Sequence, residues 1–308
     1  MEQVHQNTIL SISPITLKVT GRLVDLEIKI TVPLQGGGFP VILFSHGGGN
    51  SNFLTSYKGG GPLVDYWASQ GFAVIQPTHL SSKTLDLPPT TTGFPIYAKS
   101  RVEDFTEILN QLHKIESEYP ILIGKFDKER IAVAGHSGGG LTAAMLIGAY
   151  YTDDNGTEMY MPDNRIKTGI LMATSGEGDD HMPAPWGKLD IVRTFRYDKM
   201  LTPALVVAGD KDVSPISSKG EKYHMDAYYQ SPGKKDLLIL IDGKHMLGGV
   251  TGYDAAETTD ENPERVAIIQ KMTTAYLRSF FSPQDNSWKN ESKKLNEIQN
   301  RQATIISK

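Results

Sequence analysis

Ser137 lies in a segment whose residue types suit a nucleophile. The segment Gly135–Gly139 (Gly-His-Ser-Gly-Gly) follows a continuous apolar run, Ile131–Ala134, and precedes a stretch of small residues that begins at Leu141. A serine on a sharp strand-to-helix turn projects its hydroxyl above the edge of a sheet, and small neighbours allow that strained turn to form. The pattern predicts a nucleophilic serine. On such a turn the amide of Gly138 would point towards the developing oxyanion, near the positive end of a helix.

Alternating strands and helices are predicted around this turn. Ile15–Thr20 and Arg22–Val32 have the period of half-buried strands and predict an antiparallel hairpin that turns at Gly21. The predicted buried strands are Pro40–Ser45, Phe72–Gln76, Ile131–Ala134, Thr168–Ala173, Leu205–Ala208 and Leu237–Ile241. The predicted helices are Leu63–Gln70, a helix that Ser100 begins with a capping-box spacing to Glu103, Leu141–Tyr150, Ser214–Tyr229 and one that opens at Asn262-Pro263. Together they indicate an α/β fold with a mostly parallel central sheet, antiparallel N-terminal strands and helices on both faces.

The chain is predicted to form a single domain over residues 1–283. No break in composition divides that stretch, and no internal repeat is found. Three segments are predicted loops: Pro77–Pro95, Tyr151–Asn164 and Ser175–Asp190. Residues 284–308 form a polar C-terminal tail that could hold a loosely attached helix.

From about Arg22 to Phe280 the sequence resembles the α/β-hydrolase superfamily. The segments that carry the resemblance are Phe44–Gly49, Gly135–Gly139, Val207–Asp212 and Asp242–His245. Within the superfamily it resembles a group that includes dienelactone-hydrolase-like proteins, platelet-activating-factor acetylhydrolases, chlorophyllases and bacterial polyester hydrolases. The resemblance implies an α/β-hydrolase fold and a serine esterase. A cysteine-dependent dienelactone hydrolase is excluded because the nucleophile is a serine.

A serine nucleophile needs a base, and the base needs an orienting acid. In the α/β-hydrolase fold these residues follow in the order serine, acid, histidine. The strand Leu205–Ala208 leads into Gly209, Asp210 and Asp212. The resemblance favours Asp212, three residues past the glycine, as the acid. Asp210 is the alternative, and its other role would be that of a turn residue bonded to nearby amides.

His245 is the predicted base. It follows the strand Leu237–Ile241 and stands in a loop that ends in Leu247–Gly249. His224 also follows the acid, but it is placed on the helix before the last strand, where a solvated or core-edge role fits better. The remaining histidines are terminal or precede the acid: His5, His46, His79, His113, His136 and His181.

A second oxyanion donor is expected in the loop after Pro40–Ser45. That loop reads His46-Gly-Gly-Gly49. By resemblance, the amide of Gly48 would face the oxyanion, and His46 would bond to backbone within the loop. The other interpretation is a flexible glycine turn.

The substrate pocket is predicted among the loops at the carboxyl ends of the strands. The proposed substrate-binding residues are Phe53, Trp186 and Met246. Further apolar residues on these loops are Leu54, Tyr57, Leu85, Leu87, Phe94, Met182 and Leu247. This set suits a bulky or hydrophobic acyl or alcohol group better than a small anion, although any single member could serve ordinary loop packing.

No cofactor and no metal site are expected. The segment Tyr151–Glu158 has some oxygen-bearing side chains of a calcium loop but lacks the full spacing, so it is predicted to be a surface turn. Neither a dinucleotide fingerprint nor a Walker sequence is present. The absence of cysteine excludes disulfides, thiolate metal sites and a cysteine nucleophile.

Composition limits the partners. The 308 residues carry a formal net charge of -4, and no run of Lys or Arg exceeds two residues, which disfavours nucleic acid. No segment approaches the ~20 apolar residues of a membrane-spanning helix. The N-terminus resembles no secretory signal, so a cytoplasmic location is expected. The oligomeric state is left open.

The sequence therefore predicts a serine hydrolase that cleaves a carboxylic ester, a small-molecule partner. Three more specific functions stay open: a chlorophyllase-like esterase of a large pigment ester, a lipase or acetylhydrolase, and a polyester hydrolase. The missing secretion signal disfavours the polyester hydrolase. A non-catalytic binding module on the same fold is the alternative of a different class. It is disfavoured because all three triad positions carry competent residues.

Overall fold

The computed structural model describes residues 6–179, 181–298 and 301–308, so His5 lies outside the described residues. The strands in those ranges are β1 (Ile9–Leu17), β2 (Leu26–Pro33), β3 (Phe39–Ser45), β4 (Ala73–Pro77), β5 (Phe126–His136), β6 (Tyr150–Thr152), β7 (Glu158–Tyr160), β8 (Ile166–Met172), β9 (Ala204–Gly209), β10 (Lys235–Leu240) and β11 (Ala303–Ser307). The α-helices are α1 (Gly61–Ser69), α2 (Ala98–Glu118), α3 (Gly138–Leu146), α4 (Asp190–Arg193), α5 (Asp226–Tyr229), α6 (Pro263–Phe281) and α7 (Ser287–Glu297). Within the described part of the chain, none of these helices is both long enough and apolar enough to cross a membrane.

One nine-stranded sheet organises the molecule, in the order β1-β2-β4-β3-β5-β8-β9-β10-β11. The six strands from β4 to β10 in this order pair in parallel. The flanking pairs β1–β2, β2–β4 and β10–β11 are antiparallel. Because parallel strands end at the same edge, the loops after β3, β5, β9 and β10 meet there, as expected for a site at the carboxyl ends of the strands.

Helices cover both faces of the sheet. Residues of α2 and α3 belong to one buried apolar cluster, in which Phe105 and Ile108 are fully buried. Residues of α1, α6 and α7 belong to a second cluster, which includes the fully buried Trp67 and Ile269. The prediction of an α/β-hydrolase fold with a mostly parallel sheet is confirmed.

Several predicted boundaries are wrong for identifiable reasons. Helix α2 begins at Ala98 rather than Ser100, after Tyr97 in a left-handed conformation and without a side-chain cap. The predicted helix Ser214–Tyr229 is replaced by a loop, a 3-10 turn (Gly220–Met225) and the short α5. Gly220 has a φ of 61°, which interrupts a right-handed helix. The predicted helix Leu141–Tyr150 starts and ends earlier, as α3.

The C-terminal tail is not loosely attached. Its helix is present as α7, which packs on α6, but the tail also supplies β11. That strand pairs antiparallel with β10 along its whole length and forms one edge of the central sheet. The described residues beyond 283 are therefore packed on the domain rather than separate from it.

The predicted loop Tyr151–Asn164 contains a small hairpin, β6–β7. At its tip the carboxylate of Asp153 accepts hydrogen bonds from the amides of Asn155 and Thr157. Asp153 thus acts as a turn residue that binds its own backbone, in line with the surface turn predicted for Tyr151–Glu158.

Candidate active site

Ser137 stands on a strained turn between β5 and α3. Its backbone has φ 56° and ψ −122°, outside the regions that non-glycine residues favour. A Cβ at Gly135 would lie 2.1 Å from the carbonyl oxygen of Gly139, and a Cβ at Gly139 would lie 2.0 Å from that of Ser45. Only glycine fits at those two positions, so the Gly-x-Ser-x-Gly pattern is a packing requirement of this turn.

The three side chains expected to act together lie in hydrogen-bonded sequence. The Oγ of Ser137 is 2.9 Å from Nε2 of His245. The Nδ1 of His245 lies 3.1 and 3.0 Å from the two carboxylate oxygens of Asp212. Asp212 is 2% exposed, whereas the side chain of His245 is 42% exposed. This geometry is the one that a serine nucleophile requires, with a base within reach of its proton and a buried acid that orients the base.

The choice between the two aspartates follows from their contacts. The carboxylate of Asp210 accepts a hydrogen bond of 2.7 Å from the backbone amide of Asp242 and so links the ends of β9 and β10. Asp212 instead faces His245. Burial raises the pKa of Asp212, but the hydrogen bond from His245 and the charge of neighbouring histidines outweigh it, so the net pKa is lowered. Asp212 is therefore ionised when it orients the imidazole.

The backbone around His245 is held by two buried side chains. Nε2 of His136 donates to the carbonyl of His245 at 2.6 Å. Burial lowers the pKa of His136 to about 3, so this donor is a neutral imidazole. The carboxylate of Asp260 accepts hydrogen bonds from the amides of Lys244 and Gly248, on either side of His245. These contacts fix the position of His245 from both flanks.

His224 approaches the same acid from the other side. Its Nε2 is 3.3 Å from Oδ1 of Asp212, and its ring centroid is 5.2 Å from that of His245. The side chain is 3% exposed. The sequence predicts a solvated or core-edge position for His224 and gives no sign of this contact, because no local pattern connects residue 224 with residue 212.

The two predicted oxyanion donors are neighbours. A Cβ at Gly138 would lie 3.6 Å from the amide nitrogen of Gly48, and one at Gly47 would lie 3.4 Å from Cβ of Ser137. The loop after β3 therefore packs against the turn that carries Ser137. Gly138 is the first residue of α3, so its amide belongs to the positive end of that helix.

Arg101, on α2, joins these two donor segments. Its Nε donates to Oγ1 of Thr142 at 2.7 Å, and that hydroxyl in turn donates to the carbonyl of Gly138. One of its terminal nitrogens donates to the carbonyl of His46 and, at 3.1 Å, to Oγ of Ser45. Arg101 is 2% exposed. A single buried guanidinium thus holds both the loop after β3 and the first turn of α3.

A chain of buried polar groups continues from Ser45 away from the site. Nε2 of His79 is 3.0 Å from Oγ of Ser45, and its Nδ1 is 2.8 Å from the carboxylate of Asp104. Asp104 also accepts a hydrogen bond of 2.7 Å from Arg22. Burial raises the pKa of Asp104 to about 6, against the opposing effect of Arg22. This serine–histidine–aspartate row is enclosed in the core, so we assign it a structural role in supporting the loop after β3.

Asp104→Asn should lower the free energy of unfolding by about 3–5 kcal/mol, because it leaves Arg22 and Arg101 buried without their common counter-charge. Urea denaturation measured above neutral pH, where Asp104 is ionised, checks this. Asp25→Asn is the matched control. Asp25 pairs with Lys18 on the surface and is 41% exposed, so its loss should cost about 1 kcal/mol or less. Equal losses for the two variants would contradict the supporting role of Asp104.

One comparison with known proteins bears on these features. Residues 2–153, just under half of the chain, match the family model described as Chlorophyllase. The matched region contains the loop of Gly48 and the turn of Ser137, and it ends before Asp212 and His245. Over these residues the chain resembles chlorophyllases, and its sheet and helices form the α/β-hydrolase fold. No curated protein matches it significantly.

A cavity of about 630 Å³ opens beside Ser137. Gly48, Gly138 and His245 also contribute to its wall. Most of the remaining wall is apolar and is supplied by three regions: the loop between β4 and α2, the segment around α4, and the segment after β9. Its larger apolar residues include Leu87, Phe94, Tyr97, Leu141, Trp186 and Ile216. The volume lies within the range of small-molecule sites.

The residues predicted to bind substrate divide into two groups. Trp186 lines the cavity and is 38% exposed, on a 3-10 turn (Trp186–Lys188). Phe53 and Met246 do not line it. Phe53 points into solvent and is 54% exposed, and Met246 lies beside Thr251. Their loops follow β3 and β10, which predicts a place near the pocket, but sequence position does not fix which side of a loop faces inward.

Proposed function

We propose that this protein is a serine hydrolase that cleaves a carboxylic ester through an acyl-enzyme on Ser137. The observation that carries the proposal is the 2.9 Å contact between Oγ of Ser137 and Nε2 of His245, with Asp212 bonded to the other ring nitrogen. A Gly-x-Ser-x-Gly turn alone would be weaker support. The match of residues 2–153 to the chlorophyllase family also supports an ester hydrolase.

In the proposed reaction, His245 takes the proton of Ser137 as the serine oxygen attacks the ester carbonyl. Asp212 keeps the Nδ1 proton of His245 in place and stabilises the imidazolium that forms. The amides of Gly48 and Gly138 donate hydrogen bonds to the carbonyl oxygen as negative charge develops on it. His245 then protonates the departing alcohol. Water activated by the same imidazole releases the acid and restores Ser137.

The cavity wall supports a hydrophobic substrate. Leu87, Phe94 and Trp186 present apolar surface to a space that begins at the nucleophile. Burial of apolar area stabilises a bound ester by about 25 cal/mol per Å². We propose that the acyl or alcohol group is bulky and apolar, and the family match favours a chlorophyllase-like pigment ester as the specific case.

An activity screen tests the substrate class. The substrates are p-nitrophenyl esters of increasing chain length, chlorophyll and a soluble polyester, with Ser137→Ala protein as the blank for each. We expect kcat/KM to rise from acetyl to longer esters. A strict preference for acetyl esters would contradict the apolar pocket. Hydrolysis of the polyester without hydrolysis of chlorophyll would move the assignment to the polyester hydrolases.

Trp186→Ala should raise KM for long or bulky esters by an amount worth ~1–3 kcal/mol, the scale of burying one large apolar side chain. Short acetyl esters should be nearly unaffected, because they do not reach the tryptophan. Phe53→Ala is the matched control, since Phe53 is a similarly exposed aromatic residue that does not line the cavity. If Trp186→Ala lowered kcat/KM equally for short and long esters and also lowered Tm, Trp186 would be structural.

A further inference from the structure

Asp212 and the two histidines beside it are side chains of the types that bind metal ions. Asp212, His224 and His245 each offer one ligand atom, and these atoms lie within 4.8 Å of one another. The proposed hydrolytic reaction uses Asp212 and His245 but gives His224 no part. All three side chains line the cavity, so an ion in solution has a path to them.

The hydrogen bonding of His224 leaves one of its nitrogens unpaired. Nδ1 is 2.8 Å from the carbonyl oxygen of Thr174, which can only accept, so Nδ1 carries a proton. With its proton on Nδ1, the neutral imidazole has its lone pair on Nε2. This Nε2 is buried without a hydrogen-bond partner and lies 3.3 Å from Oδ1 of Asp212. A buried, unpartnered lone pair beside a carboxylate oxygen is an arrangement that a cation bound to both atoms would stabilise.

We propose that Asp212, His224 and His245 form an inhibitory site for Zn²⁺. Two imidazole nitrogens and one carboxylate oxygen, with an open fourth position, are a ligand set that zinc accepts. Zinc bonds of about 2.0–2.2 Å in a tetrahedral site place neighbouring ligand atoms roughly 3.3 Å apart. The distance from Asp212 to Nε2 of His224 is 3.3 Å, and the distances to Nδ1 of His245 are 3.0 and 3.1 Å. Two of the three pairs therefore need little movement.

Zinc in this position would inhibit by changing the tautomer of His245. When the metal takes the lone pair of Nδ1, the one proton of the neutral imidazole is on Nε2. Nε2 is the atom that faces Ser137, and in this state it cannot accept the serine proton. The hydrogen bond from His245 to Asp212 is lost at the same time. The inhibition rests on the proposed function, but the binding of zinc does not.

Zinc binding is measured directly on Ser137→Ala protein, which keeps all three ligands, by competition with a chromophoric chelator. We expect one Zn²⁺ per chain. Adding His224→Gln should weaken the affinity at least ~10-fold, since it removes a ligand. His113→Gln is the matched control, because His113 is an exposed histidine on α2 away from the cavity. If the Tm of His224→Gln shows that it does not fold, His224→Asn takes its place.

A second experiment measures the kinetics of p-nitrophenyl ester hydrolysis by protein that keeps Ser137. Zn²⁺ should reduce this hydrolysis and a chelator should restore it. The His224 variant, compared with its own metal-free rate, should need at least ~10-fold more Zn²⁺ for the same fractional loss. Ser137→Ala protein that binds no Zn²⁺, or a His224 variant that binds it as tightly, would overturn the proposal. An inactive protein that still binds Zn²⁺ through His224 would refute the proposed function and leave the metal site standing.

Discussion

Ser137→Ala should abolish ester hydrolysis while leaving the fold intact. The hydroxyl of Ser137 is bonded to His245 in the site and fills no part of the apolar core. Without it no acyl-enzyme forms. The loss of kcat should therefore approach the ~10⁶-fold or greater acceleration that is typical of enzymes. Steady-state kinetics with a p-nitrophenyl ester and a thermal unfolding curve measure the two parts of this prediction.

Ser117→Ala provides the control for that variant. Ser117 lies near the end of α2, and its hydroxyl donates to the carbonyl of Lys114 on the surface. Its replacement should change neither kcat nor Tm appreciably. If Ser137→Ala kept more than a few per cent of the original kcat, Ser137 would not be the nucleophile. The proposed reaction would then be wrong.

Asp212→Asn should reduce kcat roughly 10⁴-fold. An asparagine has nearly the same shape, but its neutral side chain can bond to His245 in the wrong tautomer, and it no longer stabilises the imidazolium. Losing His245 itself, in His245→Ala, should remove the activity. The kcat values at saturating ester measure both effects, because neither change touches the apolar wall of the cavity.

Asp210→Asn is the matched control for Asp212→Asn. Asparagine at 210 keeps an oxygen that can accept the hydrogen bond from the amide of Asp242. We expect Asp210→Asn to reduce kcat far less than Asp212→Asn does. The opposite ranking would transfer the role of the acid to Asp210 and would conflict with the 3.0 Å contact between Asp212 and His245.

Ser137, Asp212 and His245 could be placed at one edge of the sheet because each follows a strong apolar strand, but the choice of Asp212 over Asp210 came from the resemblance to α/β-hydrolases. Strands β5, β9 and β10 are buried runs, and parallel strands bring their carboxyl ends to one edge of the sheet. The glycines around Ser137 added a second signal, since the backbone there leaves no space for a Cβ. Where a side chain is positioned by the end of a regular element, the sequence contains enough information to place it.

The polar contacts between distant elements could not be predicted. Arg101 resembles any charged residue at the start of an amphipathic helix, yet it binds the carbonyl of His46 and the hydroxyl of Thr142. His224 similarly meets Asp212 only because the chain between β9 and β10 folds back as a loop and a 3-10 turn. The pairing of β11 with β10 has the same origin, since the β-branched run Thr304–Ile306 suits a strand but does not say which strand it pairs with.

Reaction with a fluorophosphonate tests the central claim most directly. The reagent phosphonylates a serine only where a base and an oxyanion site activate it, so it separates a hydrolase from a binding module on the same fold. We expect one label per chain, on the peptide that contains Ser137, and none on Ser137→Ala protein. A folded protein that stays unlabelled, or that carries the label on another serine, would contradict the assignment of Ser137 as the nucleophile.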